Sequence, residues 1–145
     1  MNRAIAAGLV AVCTSACVPW PHMANVTPKV RGTIESSGKP VAEVPVRIAT
    51  GTKEDVCAGV VSDSSTGRDG AFSVEPVREV RVLVVVMAHT HFPWSLCYRN
   101  GDQWTVLSQE KEYTLVDSGP IGVQVVRCDL GRRSGEKCQI TWQEQ

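Results

Sequence analysis

Short segments in which apolar and polar residues alternate recur along most of this 145-residue chain, beginning at Pro28. A period of two places one set of side chains against a core and the other towards water, as in a half-buried β-strand. Turn-forming residues separate the segments, among them Gly38–Pro40, Asp69–Gly70 and Asn100–Gly101. Only residues 108–113 leave room for a helical turn. The pattern predicts an all-β fold of the sandwich type.

The predicted strands differ in the depth at which we expect them to lie. The valine-rich stretch from Val80 to Met87 is nearly all apolar, which favours a strand buried on both faces near the centre of the sandwich. Residues 94–99 and 103–107 flank an Asn-Gly turn and are predicted to form a hairpin, whereas residues 62–70 are predicted to be a long polar turn. The other predicted strands cover residues 30–34, 44–48, 56–61, 72–74, 113–116, 122–127 and 138–143.

The beginning of the chain has the parts of a secretory signal peptide. Arg3 is followed by a short apolar run over residues 4–12 and by the small residues 14–16, which stand directly before Cys17. The apolar run is far shorter than the roughly twenty residues that a spanning helix needs. Small residues before a cysteine also resemble a bacterial lipobox, and this resemblance implies that Cys17 is acylated. The alternatives are cleavage near Ala16 without acylation, which leaves a soluble protein, acylation of Cys13, and neither cleavage nor acylation.

The cysteine content agrees with export. Beyond Cys17 there are four cysteines, an even number that permits three pairings, and an oxidising compartment would allow two disulfides. We favour Cys128–Cys138, because these residues flank a polar segment that suits a hairpin connection, and this leaves Cys57–Cys97. A zinc site is the competing interpretation, but the chain offers no C-x-x-C pair and no histidine near Cys128 or Cys138.

Charge and proline content complete the predicted organisation. The chain has 15 basic and 15 acidic residues, and removal of residues 1–16 leaves 14 against 15. A near-neutral domain without a basic stripe argues against nucleic acid as a partner. Two prolines between residues 19 and 21 favour an extended segment. We therefore predict a signal peptide over residues 1–16, an extended tether over 17–27 and one β-sandwich domain over 28–145.

A series of core and turn residues between Lys29 and Val74 suggests a family. The series reads Val30-x-Gly32-x-Ile34, Gly38-Lys39-Pro40-Val41, Val44-x-Val46-x-Ile48, and Asp69-Gly70 before Phe72-x-Val74. It resembles the carboxypeptidase regulatory-like domain. The resemblance implies a single transthyretin-like, Greek-key β-sandwich of about seven strands that serves as a non-catalytic binding module. Gly32 would permit a close approach or a bulge in the first strand, and Asp69-Gly70 would form the tight reversal before Phe72.

The first functional hypothesis is a non-catalytic module of the bacterial cell envelope. It would be lipid-anchored to a membrane and face the periplasm, or else be soluble in the periplasm or secreted, and it would bind a protein partner or a glycan. Trp94, Tyr98 and Trp104 lie on the predicted hairpin and would form a binding surface if they faced water together, although core packing is the commoner fate of such aromatics.

The second hypothesis is a metal-binding or hydrolytic envelope protein that uses His89 and His91. Residues two apart face the same side of a strand, but a zinc site still needs a third ligand. The sequence contains no H-E-x-x-H motif, no G-x-S-x-G elbow and no glycine-rich phosphate loop. We therefore predict a protein without enzymatic activity, catalytic residues, cofactor or metal site, in which the histidines face water.

Overall fold

The computed structural model describes residues 20–51, 56–83, 90–114, 122–132 and 137–143. Regular structure within these ranges is entirely β-strand, which confirms the all-β prediction, and no helix there has the length and apolar character required to cross a membrane. The strands are β1 (Trp20–Asn25), β2 (Lys29–Ser36), β3 (Lys39–Pro40), β4 (Pro45–Ala49), β5 (Val61–Ser65), β6 (Ala71–Val74), β7 (Arg78–Leu83), β8 (Thr90–Asn100), β9 (Gln103–Thr114), β10 (Val123–Asp129) and β11 (Cys138–Gln143).

A five-stranded sheet is built around β2. Its order is β11-β10-β2-β3, and β6 also pairs with β2. β10 runs parallel to β2 in a register that sets Val126 opposite Gly32, while β3 and β6 are antiparallel to β2. A Cβ added at Gly32 would overlap the carbonyl oxygen of Val126. The close approach expected at Gly32 is therefore present, and the neighbour that requires it is β10.

A four-stranded sheet has the order β5-β4-β8-β9. Its long hairpin, β8–β9, turns at Gly101 and Asp102, because Asn100 is paired with Gln103. The predicted hairpin is confirmed, and its strands are longer than predicted. A register shift at Leu96/Cys97 marks a β-bulge, in which one residue of β9 is left without a direct partner.

The two sheets share one hydrophobic core, as a β-sandwich requires. Val30 and Val126 of the five-stranded sheet belong to the same buried cluster as Ile48, Leu96 and Trp94 of the four-stranded sheet. Removing a Val, Leu or Ile side chain from water stabilises the folded state by about 1.5–3 kcal/mol. This cluster is therefore the main source of attraction between the sheets.

The third sheet is a two-stranded ribbon of β1 and β7. It continues the β2–β6 pairing beyond an interruption at Pro28 and Pro76, which have no N–H to donate. Val77 bridges the interruption, because its carbonyl accepts from the Val26 N–H at 2.9 Å and its N–H donates to Thr27 Oγ1 at 2.9 Å. Strand pairing therefore continues from β2 and β6 of the sandwich into the β1–β7 ribbon.

Two disulfides close the domain. Cys128–Cys138 joins β10 and β11 at directly opposite positions, with the Cα atoms 4.1 Å apart. Cys57–Cys97 ties the segment after β4 to β8 over a sequence separation of 40 residues. Both disulfides form in the favoured pairing.

Two predictions on the ribbon are wrong. Residues 20–25 form a strand rather than part of an extended tether, because β7 pairs with the backbone that the prolines hold extended. The stretch from Val80 is not a central strand, since β7 has only β1 beside it in the described ranges and Val80 is 68% exposed. Residues 84–89 of that stretch lie outside the described residues. A run of valines is apolar on both sides, so its periodicity does not show how many neighbours cover it.

Two further predictions shift along the chain. The segment expected to be a strand at 56–61 contains turns, and the strand there is β5, inside the segment predicted to be a long polar turn. After Val61, β5 has no apolar residue, because Asp63 faces water and the inward positions opposite Ile48 and Val46 are Ser62 and Ser64, so no apolar alternation marks the strand. Residues 108–113 belong to β9 and not to a helical turn.

Candidate functional site: the outer face of the four-stranded sheet

The side of the four-stranded sheet that points away from the core carries a cluster of polar and aromatic side chains. Ile48 and Leu96 face the core, so alternation directs Arg47 and Cys97 to the opposite side. The register extends that side to Asp63 on β5 and to Val106 on β9. We call this surface the outer face. Its members are Val61 and Asp63 on β5, Arg47 on β4, Cys97 and Arg99 on β8, and Trp104 and Val106 on β9.

Arg47 and Asp63 lie directly opposite each other on β4 and β5 and form a two-point ion pair. Arg47 Nε donates to Asp63 Oδ1 at 2.7 Å, and Arg47 Nη2 donates to Oδ2 at 2.8 Å. These hydrogen bonds hold the pKa of the Asp63 carboxyl below its usual value and raise the pKa of Arg47, against desolvation that acts in the opposite direction. A planar guanidinium held by two bonds is fixed in orientation.

The same guanidinium lies over the indole of Trp104. Its central carbon is 4.2 Å from the ring centroid, within the range of a cation–π contact worth about 0.5–1 kcal/mol at an exposed site. Trp104 is paired with Arg99, so it lies on β9 and Arg47 reaches it across β8. Asp63, Arg47 and Trp104 therefore form one stack that spans the whole sheet.

One exposed valine lies at each edge of the outer face. Val61 is 36% exposed and Val106 is 37% exposed, at opposite edges of the sheet. β9 is an edge strand of 12 residues, and in the described ranges it pairs only with β8. A strand edge beside exposed Val106 offers both main-chain hydrogen bonds and apolar contact to another chain.

One end of the outer face is covered by the segment that follows β4. Cys57 forms its disulfide with Cys97, and Ser95 Oγ donates to the Val56 carbonyl. Cys97 and Ser95 are consequently buried although they point away from the core. The disulfide and this hydrogen bond therefore cover the outer face at Cys97 and Ser95, whereas Val61, Val106 and Arg99 stay exposed.

The predicted aromatic surface of Trp94, Tyr98 and Trp104 is wrong. Trp94 is 1% exposed and lies in the core, and Tyr98 packs partly buried against the same core. Only Trp104 lies on the outer face. Hairpin pairing explains the separation, because Trp104 is opposite Arg99, and Arg99 and Tyr98 point to opposite sides of β8.

The predicted acylation site and the two histidines of the metal-binding hypothesis have no described side chains. Cys17 and His89 lie outside it, and His91 is described only through its backbone, which pairs with Tyr113. Among the described residues, no three His, Cys, Asp or Glu side chains are placed to hold a metal ion. The metal-binding hypothesis for His89 and His91 stays a prediction.

Sequence analysis missed Arg47 and Asp63 as members of a site. Arg47 has the pattern of an ordinary solvent-facing charge, and Asp63 lies among serines that resemble a loop. The pairing of β4 with β5 sets the two charges opposite each other, and no local pattern indicates that register. The reach of Arg47 to Trp104 across β8 has no counterpart in local sequence.

No family model, curated protein or solved structure matches this chain.

Proposed function

We propose that this chain is an exported, lipid-anchored and non-catalytic β-sandwich module of the bacterial cell envelope that binds a protein partner. The placement of its six cysteines carries the proposal. Four of them pair within the domain, which fits an oxidising compartment, and the two that are left are Cys13 and Cys17. Cys13 would leave with residues 1–16, so Cys17 would be the thiol available for acylation at the mature N-terminus.

The anchor is tested by two matched variants of the full chain in its exporting host, Cys17→Ser and Cys13→Ser. We expect Cys17→Ser to move the protein from the membrane to the soluble fraction and to remove the acyl mass, because several acyl chains hold a protein firmly to a bilayer. Cys13→Ser should stay in the membrane with its acyl mass intact. Intact mass after membrane extraction reports acylation and thiol oxidation together. Retention of Cys17→Ser in the membrane would contradict the anchor.

A protein partner suits the outer face better than a glycan does. Tryptophan and arginine are enriched among residues that dominate protein interfaces, and the stack of Arg47 and Trp104 is flanked by exposed Val61 and Val106. A sugar ring stacks on an open aromatic face, whereas one face of Trp104 is occupied by the guanidinium of Arg47. The edge of β9, which has no neighbouring strand among the described residues, adds a second feature that a protein chain can use.

The resemblance to the carboxypeptidase regulatory-like domain supports the absence of catalysis in this proposal. It rests on turn and core residues such as Gly32, Asp69 and Gly70. Gly70 has a positive φ of 74°, and a Cβ there would meet the Ile34 carbonyl oxygen at 2.5 Å. The tight reversal expected before Phe72 therefore has a glycine where the backbone requires one.

Binding of a protein partner at the outer face is tested by two tryptophan variants, Trp104→Ala and Trp142→Ala, in the membrane-extracted protein. Trp142 is 46% exposed on β11 of the other sheet, so it is a matched control. We expect Trp104→Ala to weaken recovery of a co-purifying protein about tenfold or more, since hot-spot residues contribute about 2 kcal/mol or more. Trp142→Ala should recover it as the parent does.

The binding proposal has clear failure modes. Equal recovery with both variants would place the partner elsewhere on the domain, and recovery of the bait alone would remove the protein partner. If Trp104→Ala lost a bound glycan and not a bound protein, the partner would be a glycan and the proposal of a protein partner would be wrong. Intact mass shows whether each variant has formed two disulfides, as the parent does.

A further inference from the structure

One side of the β1–β7 ribbon exposes large apolar side chains in direct register. Met23 and Val80 are cross-strand partners, and they are 61% and 68% exposed. Pro21, two residues before Met23, is exposed on the same side. Cross-strand partners have their Cβ atoms about 5 Å apart. These residues therefore form one continuous apolar patch, which we call the ribbon face.

The other side of the ribbon differs sharply. Ala24 alternates with Met23 and is only 3% exposed, and His22 is half-buried. The ribbon thus has a covered side and an open side, and the two largest apolar side chains described on it lie on the open one. Contiguous exposed apolar residues mark a contact surface more often than isolated ones do.

The charge beside the ribbon face indicates which kind of surface can contact it. Asn25 and Arg78 form the next pair on the same side, and Arg78 is exposed. Among the described side chains on this side of the ribbon, Arg78 is the one cation and there is no carboxylate. Apolar side chains bordered by a cation suit the boundary between acyl chains and anionic headgroups.

The short distance in sequence between Cys17 and β1 indicates which surface lies nearest to the ribbon. Cys17 precedes Trp20 by three residues, and three residues span at most roughly 10 Å even when fully extended. A lipid on Cys17 would therefore hold the start of β1 within about that distance of the bilayer interface. The ribbon would be the described element nearest to the membrane.

We propose that the ribbon face lies on the bilayer surface, with Met23 and Val80 in the boundary region and Arg78 towards the headgroups. This inference rests on the proposed lipid anchor and adds a second point of attachment to it. Two points restrict the rotation of the domain about its short connection. The sandwich is then held in one orientation relative to the membrane.

The test is photo-crosslinking in membranes of the exporting host. A benzophenone amino acid replaces Met23 in the full chain, and a matched chain carries it at Val106 on the outer face. We expect phospholipid adducts at position 23, several-fold more than at position 106. A third chain with the probe at Val80 repeats the measurement from the other strand, in case substitution of Met23 prevents folding. The intact mass of each product reports adduct, acylation and disulfides together.

Each outcome distinguishes failure of the membrane contact of the ribbon from failure of the lipid anchor. Acylated protein without a phospholipid adduct at positions 23 and 80 overturns the membrane contact and leaves the anchor standing. A phospholipid adduct on protein without acyl chains keeps the contact and removes the anchor. An adduct to another protein, to a second copy or to residues of the same chain shows that something else covers the ribbon face, and this overturns the inference.

Discussion

Gly32 shows how one residue controls the junction between two strands. β2 and β10 are parallel neighbours at this point, and a Cβ at position 32 would occupy the space of the Val126 carbonyl oxygen. Since backbone cannot rotate aside as a flexible side chain does, the two strands would have to separate. The constraint is steric and needs no unusual φ angle.

We expect Gly32→Ala to lower the free energy of unfolding by about 2 kcal/mol, the typical cost of overpacking. Thr33→Ala is the matched control in the same strand, because it removes atoms and adds none. Urea unfolding of both variants measures the difference. Equal losses would contradict the close approach of β10 to Gly32.

The ion pair of Arg47 and Asp63 has a pH dependence of predictable sign. The pKa of Asp63 is lowered in the folded protein, chiefly by the hydrogen bonds from Arg47. A lowered folded pKa stabilises the protein above the unfolded pKa of about 4, and that contribution disappears as the pH falls through the folded value. Because the Asp63 side chain is 51% exposed, solvent screening keeps the effect small.

We expect Asp63→Asn to lose at most about 1 kcal/mol near neutral pH and almost nothing in strong acid. Asp102→Asn is the control, since its carboxylate is 3.9 Å from Arg99 and fully exposed. Denaturant unfolding across this pH range gives the difference between each variant and the parent. A loss at Asp63 that grew on acidification would have the wrong sign.

At the scale of elements, the two disulfides act on different loops. Cys128–Cys138 closes a loop between adjacent strands with a sequence separation of 10, whereas Cys57–Cys97 closes one of 40. The chain-entropy model assigns about 3 kcal/mol to the shorter loop and about 4 kcal/mol to the longer one. The longer loop also includes β5 and β6, so it joins parts of both sheets.

We expect Cys57→Ala/Cys97→Ala to destabilise the domain about 1 kcal/mol more than Cys128→Ala/Cys138→Ala does. Both pairs are buried, so the cavity terms are similar. Thermal and urea unfolding of the two double variants measure the order. The reverse order would show that native contacts, and not the constraint on the unfolded chain, dominate the effect.

Element prediction succeeded where the pattern was local. The alternation in β2, β4 and β10 identified those strands, because each strand has one side in the core and one in water. It failed for β5, whose serines and aspartate hide a strand, and for β7, whose valines suggested two neighbours instead of one. Burial depends on the partners that a strand acquires, and those partners are distant in sequence.

At the scale of the whole molecule, the ribbon and the outer face give the domain two different surfaces. The ribbon continues the five-stranded sheet, whereas the outer face belongs to the four-stranded sheet. A membrane contact through Met23 and Val80 and a protein contact through Trp104 therefore use separate residues. The crosslinking and Trp104 experiments can succeed or fail independently of each other.

The sequence by itself determined the all-β class, the β8–β9 hairpin and the favoured disulfide pairing, because these follow from alternation, turn residues and the spacing of cysteines. Only the tertiary structure decided that Trp94 is buried while Trp104 stacks on Arg47, and that Met23 meets Val80 on an open ribbon. Those outcomes depend on strand register between segments far apart in the chain. A one-residue change in register moves a side chain from the core to the surface without altering its local pattern.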